Sequence, residues 1–462
     1  MSDCNHCDGL SRSRLLHAAA AEAGRGLPAI EPGMPLPAGT GLSRRSFVAQ
    51  SVGAMVAVYG GSRLLRIGAL EEGIAAAASR PSQPMLVSVF LEGGADALSV
   101  LSPQGDPLYR KLRPKLALAG GTGFAEDDRL RWHPAANGLA QLHAEKKVTV
   151  MPAIGYTNAD QSHFTSRHYW EVGATSVNLR TGWLGRYLDR VGTMDNPLQG
   201  LSLDSSLAPA LATTKVPVAS IDGPDQYDFW SNRVWVEVEQ RMLAAIGSLG
   251  GGGLSDPALA TAANVTAQVD RLRNQLLPFQ GGDDQHPAFT SPVPYPKADD
   301  EFPKRLAGLA AMLAAGLPLR VVALSAPGHY DTHSDQPGAL AQGLQLTADS
   351  LLAFQRDLEA RGLADRVLVH VWSEFGRRAQ ENGSAGTDHG AAGVGFLVGA
   401  RAKGQMVGEF PGLKDGLDED GNVKATADFR GVYAGLLEQW LGVDAGAIIP
   451  DAGSFQRPAL VR

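Results

Sequence analysis

Short apolar runs alternate with longer stretches of helical periodicity along most of the chain. The run Met85 to Leu91 is apolar and rich in β-branched residues and ends in a glycine turn, which predicts a buried strand. A second apolar run, Val148 to Met151, follows the helical pattern of Gly138 to Glu145 and precedes that of Phe164 to Val172. The pattern therefore predicts a strand between two helices.

The same alternation continues to the end of the chain. Further strands are predicted at 201–203, 216–221, 319–324, 367–372 and 394–398, and further helices at 232–246, 258–277, 302–315, 338–361 and 428–441. Strands separated by helices of this length favour a mostly parallel sheet with helices on both faces. We therefore predict an α/β fold.

The part of the chain after residue 80 shows no break in composition, which predicts a single domain over 80–462. The Pro-, Gly- and Asp-rich stretch 278–297 and the helices before it predict a helical insertion or cap over 232–297. The chain has 462 residues, and 44% of them are hydrophobic, which is enough for one large core. The net charge is -7 and no basic stripe follows residue 80, so we expect no nucleic-acid partner.

Two adjacent arginines near the N-terminus belong to a predicted export signal. The sequence SRRSFV at 43–48 precedes an apolar stretch that ends at Tyr59, and together they resemble the twin-arginine signal. This stretch is shorter than the roughly 20 residues that span a bilayer as a helix, and the alanine tract at 75–78 fits a processing site. We predict a signal region with a long N-terminal tail over 1–79, export by the twin-arginine translocase to the periplasm or beyond, and no stable transmembrane anchor.

Polar residues with metal-binding or nucleophilic chemistry lie next to several predicted strands. Beyond the carboxyl ends of strands lie Asp96, Ser162, His163, Asp331, His333 and Glu374, and just before the strand 394–398 lie Asp388 and His389. Ligands bind at the edge where the carboxyl ends of parallel strands meet, so we expect these groups to converge. Carboxylates and imidazoles are ligands of Zn, Mn and other divalent ions. The predicted chemistry is metal-assisted attack on an ester, with Ser162 at a helix N-terminus as nucleophile.

Several of these residues also have a purely structural interpretation. Asp96 is a candidate cap for the helix after its glycine turn, and Ser162 for the helix that begins at Phe164. The structural alternative for Glu374 is an ion pair with Arg377 that closes a loop. Only the joint placement at one edge favours the functional interpretation.

Longer motifs resemble one bacterial family. They are FLEGGAD at 90–96, SHF at 162–164, WEVG at 170–173, YDTH at 330–333, SEFGR at 373–377, GTDHG at 386–390 and the closing segment 433–441. Together these motifs span nearly all of residues 85–441 and resemble the family called domain of unknown function 1501 (DUF1501), whose members carry a twin-arginine signal. The resemblance implies an alkaline-phosphatase-like, sulfatase-like three-layer α/β sandwich.

The resemblance also implies how the site residues divide between two metal ions. By position, one group is Asp96, Glu374 and Ser162, and the other is Asp331, His333 and His389. Two features depart from the phosphatase pattern: Phe375 stands where an imidazole follows the acid, and the spacing from Asp331 to His333 is shorter. In an alternative assignment, Asp388 and His389 supply the missing Asp-His pair.

The resemblance and the polar residues together lead to an expected function. We expect an exported metal-dependent hydrolase of phosphate or sulfate esters that acts on a small ester substrate with one or two Zn or Mn ions. The predicted metal ligands are Asp96, Asp331, His333, Glu374, Asp388 and His389, and the predicted catalytic residues are Ser162, His163 and Arg377. Ser162 would form a covalent phospho- or sulfo-enzyme. Metal binding is expected to weaken below about pH 6, where histidine takes up a proton.

A second expectation comes from a different functional class. The missing imidazole at Phe375 favours a catalytically silent secreted binding or assembly protein of the same fold. Members of the family often occur beside a second family, domain of unknown function 1800 (DUF1800), which makes a DUF1800 protein the expected partner. The two expectations differ in whether the acidic and histidine groups at the sheet edge support turnover.

Overall fold

The computed structural model describes residues 83–227, 236–249, 257–280 and 289–462. The predicted signal region 1–79 and the domain boundary near residue 80 lie outside the described residues. The single domain and its helical insertion therefore stay predictions. Within the described ranges, no helix is long and apolar enough to cross a membrane.

The strands and helices follow the apolar pattern of the sequence closely. The described strands are β1 (Met85–Phe90), β2 (Leu101–Ser102), β3 (Arg131–Trp132), β4 (Val148–Gly155), β5 (Gly200–Leu203), β6 (Ala219–Ile221), β7 (Val321–Ser325), β8 (Val367–Trp372), β9 (Arg377–Glu381), β10 (Thr387–His389), β11 (Gly393–Val398) and β12 (Ala427–Asp428). The described α-helices are α1 (Ala97–Val100), α2 (Tyr109–Leu112), α3 (Asn137–Ala144), α4 (His163–Val172), α5 (Trp183–Val191), α6 (Val236–Leu249), α7 (Pro257–Leu276), α8 (Phe302–Ala314), α9 (Gln336–Ala360) and α10 (Phe429–Gln439). Each predicted element is present with its ends displaced by a few residues. The elements that the pattern did not predict are α2, α5, β2, β3, β9, β10 and β12.

Eight strands form one sheet in the order β12-β4-β11-β8-β1-β7-β5-β6. Neighbouring strands run parallel, except that β11 is antiparallel to both β4 and β8. The predicted α/β fold with a mostly parallel sheet is confirmed. Because β11 is reversed, it begins at the same sheet edge where the other strands end.

Helices cover both faces of the sheet. Successive strand residues point to opposite faces, and in β11 Leu397 joins the buried cluster that contains Trp170 of α4. The preceding residue, Phe396, packs on Trp132, which contacts His143 of α3. A sheet covered on both faces favours apolar side chains on both sides of a strand, which is why five of the six residues of β1 (MLVSVF) are apolar.

The antiparallel hairpin formed by β9 and β10 was not predicted. It follows β8, pairs Arg377 with His389, and leads back to the start of β11. The sequence analysis placed Asp388 and His389 in a glycine-rich loop, but both residues lie on β10. This short polar hairpin has no apolar alternation, so the pattern that revealed the sheet strands could not reveal it.

Candidate metal centre

Five polar side chains meet at the edge where the parallel strands end and β11 begins. His163 is the first residue of α4, which follows β4, and Asp331 and His333 lie in the loop after β7. Glu374 follows β8, and His389 ends β10 just before β11. The topology thus brings together residues that are far apart in sequence.

Asp331 lies at the centre of three histidines. Its Oδ1 atom is 3.1 Å from Nε2 of His333 and 3.2 Å from Nε2 of His389. Its Oδ2 atom is 3.5 Å from Nε2 of His163. The ligand atoms of His163, Asp331 and His389 all lie within 4.8 Å of one another, so one metal ion can be held between them after small side-chain shifts.

The opposite ring nitrogens of two of these histidines are held by acceptors. Nδ1 of His163 is 2.8 Å from Oε1 of Glu374, and Nδ1 of His389 is 2.8 Å from the carbonyl oxygen of Gln161. A carbonyl or carboxylate oxygen only accepts, so we assign the ring proton to Nδ1 in both residues. In the neutral rings the Nε2 lone pairs then face Asp331, which is the orientation of a metal-ligating histidine.

The third histidine, His333, contacts a different carboxylate, that of Asp388, through its Nδ1 atom. Nδ1 of His333 is 3.4 Å from Oδ1 of Asp388, and the same oxygen accepts a hydrogen bond from the Asn382 amide at 3.2 Å. The Asn382 hydrogen bond is the main cause of the lowered pKa of Asp388. Asp388 therefore contacts the ring nitrogen of His333 that is opposite the one near Asp331, and its role as a metal ligand stays a prediction.

The arrangement of the histidine Nε2 atoms around the Asp331 carboxylate favours the binding of a cation. The Nε2 lone pairs of His163 and His389 and the Asp331 carboxylate face one small volume, and groups of the same polarity repel one another. Arg377 balances part of the negative charge, because its Nη2 donates to Oδ1 of Asp331 at 2.6 Å. The Nε2 atom of His163 is buried without a hydrogen-bond partner. A buried polar atom of this kind calls for a partner that the protein itself does not supply.

The ionisation states of the cluster follow from its surroundings. Burial disfavours the charged form of Asp331, but Arg377 outweighs burial and lowers the pKa of Asp331 to about 2. The hydrogen bond to Glu374 raises the pKa of His163, whereas burial lowers the pKa of His389. Near neutral pH, Asp331 is ionised and His389 is neutral, as metal ligation requires.

Glu374 is a positioning residue in this arrangement. It is 1% exposed, and its carboxylate accepts the backbone N–H groups of Gly93 at 3.0 Å and Gly94 at 3.1 Å in addition to the His163 ring. Gly93 has a φ of 112°, and a Cβ there would collide with the backbone of Asp331. Protein donors occupy both oxygens of Glu374, so in this structure it holds His163, and its role as a metal ligand stays a prediction.

Comparison with known families identifies the chain. The family model described as "Protein of unknown function (DUF1501)" matches residues 150–449, which is more than half of the chain. The chain belongs to the DUF1501 family. The match includes His163, Asp331 and His389, and it begins after Asp96. The predicted family membership is confirmed.

The DUF1501 chain is also similar to solved structures of several hydrolases. A sulfatase from Pseudoalteromonas sp. has 12% identity and a TM-score of 0.36, with 85% of this chain and 78% of that chain covered. A protein in the alkaline phosphatase superfamily from Vibrio parahaemolyticus has 9% identity and a TM-score of 0.34, with 84% and 78% covered. A phosphonate monoester hydrolase from Silicibacter pomeroyi has 12% identity and a TM-score of 0.29, with 81% and 75% covered. No curated protein matches the sequence.

Asp96, a predicted metal ligand, lies apart from the centre of the DUF1501 domain. Its carboxylate is fully buried and accepts hydrogen bonds from Nη2 of Arg113 at 2.9 Å and Oγ of Ser99 at 2.7 Å. It also caps α1 by accepting the N–H of Leu98 at 3.2 Å. Because these donors satisfy both oxygens, Asp96 takes a structural position here, and its role as a metal ligand stays a prediction.

Two predicted catalytic residues also take structural positions. The Ser162 hydroxyl accepts the N–H of Thr165 at 3.5 Å and so caps α4. Arg377 is 1% exposed, and besides Asp331 it donates to the carbonyl oxygens of Gly94 and Thr387, each at 2.9 Å. Arg377 is therefore enclosed and holds Asp331, and the catalytic roles of Ser162 and Arg377 stay predictions.

One group of the centre carried no signal in the sequence, and the environment of Phe375 was visible only in the structure. The Gln161 carbonyl that fixes His389 is a backbone group, so residue type does not reveal it. Phe375 stands where the phosphatase pattern has an imidazole, and its ring packs 4.8 Å from the His163 ring and 4.7 Å from the His389 ring. At this position the DUF1501 chain has an apolar contact between two histidines where the phosphatases have a ligand.

Proposed function

We propose that this DUF1501 protein is an exported hydrolase of phosphate or sulfate esters that depends on a divalent cation. The observation that carries the proposal is the convergence of three histidine Nε2 atoms on the carboxylate of Asp331. An ionised carboxylate with neutral imidazoles is a donor set that suits Zn or Mn. The buried Nε2 atom of His163, which has no partner, supports the same assignment.

In this proposal one ion is held by His163, Asp331 and His389. The Nε2 atom of His333 lies 3.0 Å from that of His389 and is a fourth donor. A divalent ion bound there supplies positive charge to an oxygen of the phosphoryl or sulfuryl group and so stabilises the charge that develops during hydrolysis. Among the described residues, this is the one group of three or more histidine and carboxylate side chains close enough to hold an ion.

The chain's own residues prepare the centre before any ligand arrives. Glu374 and the Gln161 carbonyl fix the ring orientations of His163 and His389, and Arg377 keeps Asp331 ionised. The side chain of His333 is 47% exposed, so the centre opens to solvent on that side. Because the Ser162 hydroxyl caps α4, we assign attack on the ester to water from this open side.

Export by the twin-arginine translocase is part of the proposal. It is supported by the sequence SRRSFV at 43–48, the apolar stretch that follows it and the alanine tract at 75–78. Proteins that use this route cross the membrane folded, which suits a protein that acquires a metal ion first. A DUF1800 partner belongs to the alternative of a silent binding protein.

The test is turnover of an aryl phosphate and an aryl sulfate by the purified protein loaded with Zn or Mn. We expect hydrolysis by the wild type and a loss of roughly a hundredfold or more in His389→Ala, because a metal ligand is removed. His168→Ala is the matched control, since His168 also lies on the surface of this edge but its Nε2 bonds to the Ser176 carbonyl. Absence of turnover with every metal would favour the silent binding protein.

A further inference from the structure

A cavity of about 350 Å³ lies beside the candidate metal centre, at the carboxyl ends of β1, β5 and β7. Helix α4 connects the two, because His163 belongs to the centre while Arg167 and Glu171, one and two turns later, line the cavity. Glu92, which also lines the cavity, directly precedes Gly93, whose N–H binds Glu374. An ester held at the metal centre would therefore have its organic group next to this cavity.

The cavity carries an excess of negative charge. Its charged lining residues are Glu92, Glu171 and Asp204 against the single cation Arg167, a formal charge of 1 − 3 = −2. Arg167 is already engaged, because it donates to Glu92 at 3.0 Å and to Glu171 at 2.8 Å, and its guanidinium lies 4.6 Å from the centre of the Phe90 ring. The one cation of the cavity is therefore directed at protein groups.

Two carboxylates of the cavity keep capacity for a positively charged ligand. The Asp204 carboxylate accepts the N–H of its neighbour Ser205 at 3.1 Å, and its contacts across the fold are long, at 3.4 Å from the Ser325 N–H and 3.5 Å from Nη1 of Arg305, which lies outside the lining. Glu171 is 6% exposed, and burial raises its pKa, with Arg167 acting against that shift. A positive group in the cavity would be attracted to both carboxylates and would favour the ionised form of Glu171.

We propose that this cavity binds the alcohol part of the ester and selects one that carries an ammonium group. This inference rests on the proposed function, because the ester oxygens must be held at the metal centre. An ammonium group gains attraction from Asp204 and Glu171, a hydroxyl gains hydrogen bonds without net charge, and a carboxylate is repelled. His163 and Arg167 are one helical turn apart, about 6 Å between Cβ atoms, a span that a short alkyl chain bridges.

The test uses three phosphonates that differ only in the end of a three-carbon chain: aminopropylphosphonate, hydroxypropylphosphonate and phosphonopropionate. Their carbon–phosphorus bond resists ester hydrolysis, so binding to the Zn- or Mn-loaded protein is measured by calorimetry without turnover. We expect the ammonium compound to bind about fivefold or more tightly than the hydroxyl compound, and the carboxylate compound to bind most weakly. Equal affinities for the ammonium and hydroxyl compounds, or no binding of any of the three, would overturn the proposal.

Variants locate the preference in the cavity. Asp204→Asn and Glu171→Gln are each expected to remove most of the preference for the ammonium compound. Asp222→Asn is the matched control, because Asp222 also contacts Arg305, at 3.4 Å, but does not line the cavity. A preference that survives both cavity variants would contradict the assignment. If the phosphonates bind as expected while aryl esters are not hydrolysed, the binding cavity stands and the hydrolase proposal fails.

Discussion

Asp96 and Asp331 occupy comparable positions in the fold but lie in opposite chemical surroundings. Each follows a parallel strand of the sheet, and each binds a buried arginine, Asp96 through Arg113 and Asp331 through Arg377. The side chain of Asp96 is 0% exposed, whereas that of Asp331 is 29% exposed.

The partners beyond the arginine distinguish the two regions. Asp96 accepts further hydrogen bonds from Ser99 and from the Gln336 amide, so donors surround it. Asp331 instead faces the Nε2 atoms of histidines, two of which carry their ring proton on the far side. A carboxylate surrounded by donors is complete and stabilises the fold, whereas one that binds an arginine on one side and faces histidine lone pairs on the other is completed by a cation.

The comparison predicts its largest effect on stability when each acid is neutralised. Asp96→Asn leaves the Arg113 charge buried without an anion, so we expect a loss of about 3–5 kcal/mol in the free energy of unfolding. Asp331→Asn is expected to lose less, about 1–3 kcal/mol, because Arg377 keeps its bonds to backbone carbonyl oxygens. Urea unfolding of the metal-free proteins measures both values. Equal losses would remove the distinction between the regions.

The pH dependence of metal affinity sharpens the comparison at His163. A raised pKa means that His163 takes up its proton above the ordinary value of 6.5, and the protonated ring cannot ligate. Affinity should therefore begin to fall above the pH of about 6 expected for ordinary histidine ligands. In Glu374→Gln the acceptor of the His163 hydrogen bond is a neutral amide oxygen, so the pKa of His163 falls and the onset should move to lower pH by roughly one unit.

Calorimetric titrations with Zn or Mn over this pH range measure the onset. The matched control is Asp388→Asn, which changes the carboxylate behind His333 and leaves the Glu374–His163 hydrogen bond in place. An identical pH profile for wild type and Glu374→Gln would show that Glu374 does not act through His163.

The smallest predicted effect concerns Ser162, which the sequence indicated as a nucleophile. Because its hydroxyl caps α4, Ser162→Ala should reduce the free energy of unfolding by about 0.5–1 kcal/mol, while metal content and aryl ester turnover stay near those of the wild type. Ser162→Asn keeps a capping oxygen without a hydroxyl and should restore the stability. Loss of turnover in both variants, with stability intact in Ser162→Asn, would instead establish the covalent route.

The sequence revealed the sheet because buried parallel strands must be apolar along their whole length. Met85–Phe90 and Val367–Trp372 stand out for this reason, and the polar groups after such strands indicated where His163 and Asp331 would meet. The sequence does not reveal that β11 runs in the opposite direction, since its residues are as apolar as those of the parallel strands.

The roles of individual side chains depended on partners that the sequence does not connect. Asp96 is structural because Arg113 folds back onto it, and Glu374 positions His163 because the Gly93 turn approaches it across 281 residues of sequence. Residue type and strand position are the same for a ligand and for a buried ion-pair partner. Only the surrounding donors and acceptors separate them.

The most direct test of the central claim is the metal content of the purified protein after loading with Zn or Mn and dialysis. We predict about one ion per chain in the wild type and in Asp96→Asn, and almost none in Asp331→Asn and His389→Ala. Circular dichroism of each variant confirms that the fold is retained. A wild type that keeps no stoichiometric metal, or an Asp331→Asn variant that keeps as much as the wild type, would contradict the assignment of this cluster as a metal centre.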